Sequence, residues 1–140
     1  MSSFAFRLQK VYEYRELEEG WAKDNFLAKH IARMEAENEL FQLEDDRALL
    51  LSAGADDLQA RMELELRILK IDDYERAQKI LIQQLTFEEE AARDEWILKK
   101  QDKSALEKLR DKAYEIWMYR QNKLESAALD EWAIQKQKTA

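Results

Sequence analysis

No proline interrupts the 140 residues of this chain. Proline ends helices because it lacks the N–H that the ladder needs and because its ring clashes with the preceding turn. Glycine, the next strongest breaker, occurs only twice. Ala, Glu, Lys, Leu, Arg and Gln dominate what remains, and these residues lose least on entering a helix. The chain is therefore confined to a few long helices. It is not a disordered polymer: 46% of it is hydrophobic, with 4 Trp, 5 Tyr and 5 Phe, whereas disordered segments are poor in such residues.

One place reads as a break, Ser52-Ala53-Gly54-Ala55-Asp56-Asp57. Gly54 supplies the left-handed conformation that closes a helix. Asp56 or Asp57 then caps the next one by accepting a bond from an orphan N–H. The other glycine, Gly20, lies where helical spacing runs straight through it and reads as a tolerated interior residue. The expected fold class is all-α: two long helices forming an antiparallel coiled-coil hairpin, the second longer. The expected organisation is a single coiled-coil domain over residues 1–140. Helix one covers about 4–52, the turn about 53–56 and helix two about 57–137. At 1.5 Å per residue the helices would be roughly 75 and 120 Å long, too long for globular helices and suited to coiled coils.

Apolar residues recur at threes and fours. Helix one offers Phe4, Leu8, Val11, Tyr14, Leu17, Trp21, Leu27, Ile31, Met34 and Phe41, interrupted by Arg15, Asn38 and Asp45. Helix two offers Leu64, Ile68, Ile71, Tyr74, Ala77, Leu81 and Leu85, then Ala91, Leu98, Ala105, Leu109, Ala113 and Ile116, and later Leu124, Ala128 and Ile134. These stripes are the expected seam. Leu66 and Leu69 point away from it, so they are expected to serve either a wider core or dimer, or a docking patch for a partner. Paired back from Gly54, helix two outruns helix one near residue 105. Trp117, Tyr119, Leu124, Leu129 and Trp132 then lie on an unpaired helix, which reads as a docking element.

Charge divides unevenly. Residues 35–57 hold eight acids against Arg47 alone, and residues 99–123 hold eight bases, Lys108 and Arg110 among them, against four acids. In a hairpin that separation makes an electrically polar rod.

Several functions fall away on the same arithmetic. The absence of Cys removes disulfides and thiolate zinc sites. One histidine, His30, cannot build a His-rich or di-iron site; it reads as a partly buried or surface residue, with a pH-sensing or ligand role as the alternative. No glycine-rich loop is present to cradle phosphate, and a two-helix rod has no concave pocket for catalysis. No cofactor and no enzyme activity are expected. A net charge of −7 argues against nucleic acid. Mixed Lys and Glu argue against a membrane-surface helix, and no apolar run is long enough to insert in a membrane. Met1-Ser2-Ser3-Phe4 lacks a signal-peptide plan, so the cytoplasm is the expected compartment.

The opening stretch, Phe4-Ala5-Phe6-Arg7-Leu8-Gln9-Lys10-Val11-Tyr12-Glu13-Tyr14-Arg15-Glu16-Leu17-Glu18-Glu19, resembles the start of the flagellar export protein FliJ family. That family opens on a Phe-x-Leu-x-x-Val/Leu-Leu-x-Leu-Arg-like pattern followed by acids. The far end, Glu125 through Leu129-Asp130-Glu131-Trp132-Ala133, is similar to the family's closing Leu/Met-Asp-Glu-aromatic/apolar-Ala signature. Tyr12 and Tyr14 stand where the family often has Leu, and Gly20 where it often has Ala. The resemblance implies a non-enzymatic component of the flagellar type III export apparatus, cytoplasmic and peripheral to its membrane-bound part. It implies a stalk that binds the hexameric export ATPase, contacts the export gate membrane protein and escorts export chaperones. Leu66, Leu69, Lys108, Arg110, Trp117, Tyr119, Leu124, Leu129, Asp130 and Trp132 are the expected partner-binding residues. Stalk proteins of virulence type III secretion share this plan, and a generic homodimeric coiled-coil scaffold is the alternative of another class.

Overall fold

The computed structural model describes residues 3–139. Met1 and Ser2, the first half of the stretch inspected for a signal peptide, lie outside the described residues. Two helices occur among those described, with no strand: α1, Gln9–Ala53, of 45 residues, and α2, Leu58–Thr139, of 82 residues. No helix is long and apolar enough to cross a membrane.

The helix ends follow local chemistry. α1 opens at Gln9, later than residue 4, with the Gln9 N–H on the Phe6 carbonyl at 3.1 Å and the Tyr12 N–H on the Leu8 carbonyl at 2.9 Å. Before it the chain is non-helical, and Phe4 sits edge-on to Tyr114 with ring centroids 5.2 Å apart. α1 stops at Ala53 because Gly54 takes φ of 68°, the one positive φ among the described residues. Asp57 caps α2: its Oδ1 accepts from the Ala60 N–H at 2.7 Å, and its carbonyl accepts from Arg61 at 3.0 Å. The cap takes up an orphan donor and sets a negative charge at the positive helix end.

Contacts divide the chain into two units. One joins the residues through Glu19 with those from Leu98 on; the other is Gly20–Ile97. In each unit the two helical segments run antiparallel. In the first, Tyr12 meets Glu107, Arg15 meets Asp102 and Glu18 meets Lys99. In the second, Phe26 meets Trp96, Arg33 meets Glu89, Glu39 meets Gln78 and Arg47 meets Asp72.

The face that pairs differs from the apolar stripe expected in α1. In Gly20–Ile97 the covered α1 positions centre on Ala22, Phe26, Lys29, Arg33, Ala36, Leu40, Leu43, Arg47 and Leu50, stepping alternately by four and three, with Gly20, His30 and Ala32 also part-covered. Trp21, Leu27, Ile31, Met34 and Phe41 are exposed instead, as are Val11, Tyr14 and Leu17 in the other unit. On α2 the seam keeps Leu64, Ile68, Ile71, Leu85 and Ala113, but around them it runs through Glu75, Gln78, Ile82, Glu89 and Ala92. Tyr74, Leu81, Leu98, Leu109 and Ile116 are exposed. Arg15, expected to interrupt the seam, is one of its members, whereas Asn38 and Asp45 lie outside it.

The physical reason lies in side-chain shape. Alanines let the helices approach, and Lys, Arg and Glu cover the seam with their aliphatic stems while their charged ends pair across it. Ala22, Ala36, Glu89 and Ala92 are the buried residues among those described.

Gly20 lies within helical backbone, and a Cβ added there would meet nothing within 4 Å. Gly20→Ala should therefore raise the free energy of unfolding by up to ~1 kcal/mol, the propensity difference between the two residues. Gly54→Val should lower it by about 1–2 kcal/mol, because a left-handed φ crowds a β-carbon. Urea denaturation of both variants against the parent checks the opposite signs.

Candidate partner-binding surfaces

The most buried of the described residues is charged. Glu89 is 3% exposed and accepts from two α1 residues one turn apart. His30 Nδ1 lies 2.7 Å from Oε1, and Arg33 holds Oε2 through Nε and reaches Oε1 through Nη2 at 3.5 Å. Arg93, one turn along α2, stands 3.7 Å from Oε1. A carboxylate taken out of water is costly unless such donors surround it. The Arg33 bonds hold its pKa below the usual carboxylate range against the opposing effect of burial, with His30 adding to the lowering. Beside this cluster Phe26 stacks on Trp96 at 5.4 Å, and the Arg93 guanidinium lies 5.3 Å from the centre of the Phe26 ring. These are structural interactions that fix the pairing of α1 with α2.

The first unit is held by a mixed aromatic and ionic set. Phe4 contacts Trp117 at 5.8 Å, and Tyr114 stacks on Trp117 at the same separation. The Tyr12 hydroxyl donates to Glu107 at 3.2 Å while the Arg110 guanidinium lies 5.7 Å from the centre of the Tyr12 ring. Lys99 Nζ donates to Glu18 at 2.6 Å, which lowers the Glu18 pKa and raises that of Lys99.

Those contacts sort the ten residues expected to bind partners. Trp117 is half-buried against Phe4 and Tyr114, and Arg110 is engaged with Tyr12. Lys108 and Asp130 are exposed. Leu66, Leu69, Tyr119, Leu124, Leu129 and Trp132 each expose more than half of their surface. Leu66 and Leu69 lie in the second unit and the other eight in the first. From Asn122 to Thr139 every described residue of α2 is exposed. Two aromatic rings of this segment and its approach carry a cation: Lys123 over Tyr119 at 5.6 Å and Lys136 over Trp132 at 4.8 Å.

Three shallow hollows are relevant. One of about 560 Å³ on α2 is lined by Trp117, Met118, Gln121, Asn122, Leu124 and Glu125. Two more in Gly20–Ile97, of about 480 and 490 Å³, share Asp46 and Tyr74 and form one continuous groove. Sequence reading missed that groove because it placed Tyr74 inside the seam. Among the described residues no cluster of His, Cys, Asp and Glu is placed to hold a metal ion.

Against known proteins, the family model described as "Flagellar FliJ protein" matches residues 4–139. No curated protein and no solved structure matches the chain.

Glu89 makes the fold acid-sensitive. Its folded pKa is depressed, so its contribution is present above the unfolded carboxylate value and lost as pH falls through the folded one. Glu18 and Glu88, lowered by Lys99 and by Gln84 with Lys29, act in the same direction. Stability should fall from about pH 5 toward pH 3. Glu89→Gln should cost about 1.5–3 kcal/mol at neutral pH and flatten that slope. Urea titrations at a series of pH values measure both.

Proposed function

The chain belongs to the flagellar FliJ family, and on that footing we propose that it acts as a stalk-like, non-enzymatic component of the flagellar type III export apparatus. In this reading it binds the hexameric export ATPase, contacts the export gate membrane protein and escorts export chaperones. The observation that supports it is the last stretch of α2. Residues 122–139 are helical and exposed throughout, and they carry Leu124, Leu129, Trp132 and Ile134 at 54–66% exposure. So many large apolar side chains exposed around one helix mark a contact surface. A helix that presents apolar anchors on a preformed backbone suits insertion into a ring or groove. The bases at its approach, Lys108, Arg110, Lys112 and Arg120, outnumber Asp111 and Glu115, and with Lys123 at its start they favour an acidic lining. Complementary charge of this kind speeds encounter and sets orientation.

The second contact is assigned to Gly20–Ile97, where Leu66 and Leu69 are exposed and a groove runs past Asp46 and Tyr74. A gate or chaperone segment with alternating apolar and polar residues fits such a surface.

Two variants separate these contacts. A chain ended before Leu124 should keep the helical signal of the remaining residues and lose at least tenfold in affinity for the export ATPase, with lower stimulation of ATP hydrolysis. Leu66→Asp combined with Leu69→Asp should keep ATPase binding and reduce gate or chaperone binding, with motility impaired. Full stimulation by the shortened chain would move the ATPase contact to Gly20–Ile97 and overturn the assignment. Loss of helicity in the double Asp variant would make Leu66 and Leu69 core residues.

A further inference from the structure

Ahead of α1 the chain packs on α2 without backbone support. Phe4, Phe6 and Leu8 are half-buried, while Ser3, Ala5 and Arg7 between them are exposed. That alternation belongs to an extended segment with one face covered. Phe4 meets Tyr114 edge-on and lies 5.8 Å from Trp117. Among the described residues, however, no hydrogen bond joins residues 4–8 to α2. Their carbonyls bond forward into α1 instead, from Phe6 to the Gln9 N–H and from Leu8 to the Tyr12 N–H. The fit is loose: a hollow of about 390 Å³ remains, lined by Phe4 and Phe6 on one side and by Leu109, Ile116 and Arg120 on the other.

The joint behind this segment is weak as well. Leu8 stands at the N-cap of α1 and offers no side-chain acceptor, and the first turn carries no acid. α2 by contrast is pinned by Asp57. Movement of residues 4–8 therefore breaks no capping bond.

What the segment covers is the start of a longer face. Ala113, Trp117, Leu124 and Ala128 step by four, seven and four, which sets them on one side of α2. Ala113 and Trp117 are half-buried, and Leu124 and Ala128 are exposed.

We propose that residues 4–8 form a hinged cover over the Ala113–Trp117 part of this face. In the free chain it is open in about a tenth of the molecules, and a partner seated on Leu124 and Ala128 displaces it to reach Trp117. The cover holds binding down in the free chain. This rests on the reading of the end of α2 as the ATPase contact, which the last arm of the test separates.

Fluorine NMR of the full chain, with fluorotryptophan at its 4 Trp positions, follows the cover directly. The Trp117 signal is assigned by Trp117→Phe. In the parent it should show exchange on the microsecond-to-millisecond scale. Phe4→Ala combined with Phe6→Ala should move it to the open position and abolish the exchange, with the Trp21, Trp96 and Trp132 signals and the circular dichroism unchanged. The same double variant should bind the export ATPase about tenfold more tightly, because the competent state is no longer a minor fraction. Adding Trp117→Ala should remove that gain. A segment that merely stabilises the fold would give weaker binding when loosened. A parent Trp117 signal without exchange overturns the proposal, and so does a double variant that binds no more tightly than the parent. A parent that does not bind the ATPase at all overturns the export reading instead, and the Trp117 exchange then decides the cover alone.

Discussion

Two paired helices can shield only one stripe of each from water, and whatever lies elsewhere stays wet. In this molecule that stripe mixes leucines and isoleucines with alanines and charged side chains, with an ionised carboxylate at its most protected point. Glu89 is tolerable there only because Arg33 and His30 converge on it. The same requirement makes the pairing specific. A shift of α1 by one residue would take His30 and Arg33 away from Glu89, and breaking a buried charge pair costs several kcal/mol. An apolar seam would have been stickier and less choosy about register. The arrangement supports the idea, attested in coiled coils, that polar seam positions fix alignment at the expense of raw stability.

The choice has a second effect. Apolar side chains excluded from the seam are displayed outward: in a row from Leu27 to Phe41 on α1, and around the helix from Leu124 to Trp132 on α2. A protein whose task is to be held by others has reason to keep its adhesive surface outward. If the chain acts in the export apparatus as proposed, the exposed residues of α2 and the groove beside Tyr74 are where its contacts would form.

Much of the backbone was legible beforehand. Gly54 and Asp57 carry punctuation that admits one reading, and the long unbroken propensity on either side leaves helix as the only element. The uneven helix lengths followed directly, and with them the exposure of Leu124, Leu129 and Trp132. The face of α1 was not legible, because two rows share the same three-four spacing and hydropathy favours the wrong one. Phe41 outranks Leu40 in size, Tyr74 outranks Glu75 in hydropathy, and nothing in Arg33 or Lys29 announces that a stem will be covered. Phe26 and Trp96 went unread for another reason: an aromatic pair far apart in sequence gives no local sign of itself. Ala22, Ala36 and Ala92, spaced for close approach, were the available hint. Among the ten residues read as partner-binding, Trp117 and Arg110 turn out to have intramolecular contacts, since Phe4 and Tyr12 lie against them.

The exposed end of α2 differs from a tail that folds upon capture. An isolated peptide of its length would be marginally helical in water, since starting a helix fixes several residues for a single bond. Here the starting cost has already been met within the paired segment, and each further residue only propagates what precedes it. A receptor therefore meets the segment in its final backbone conformation and loses little affinity to ordering it. Helix order weakens with distance from the paired stem, so Leu124 would be presented more continuously than Trp132. Recognition would then proceed directionally, gripping first near the paired stem and closing toward the tip.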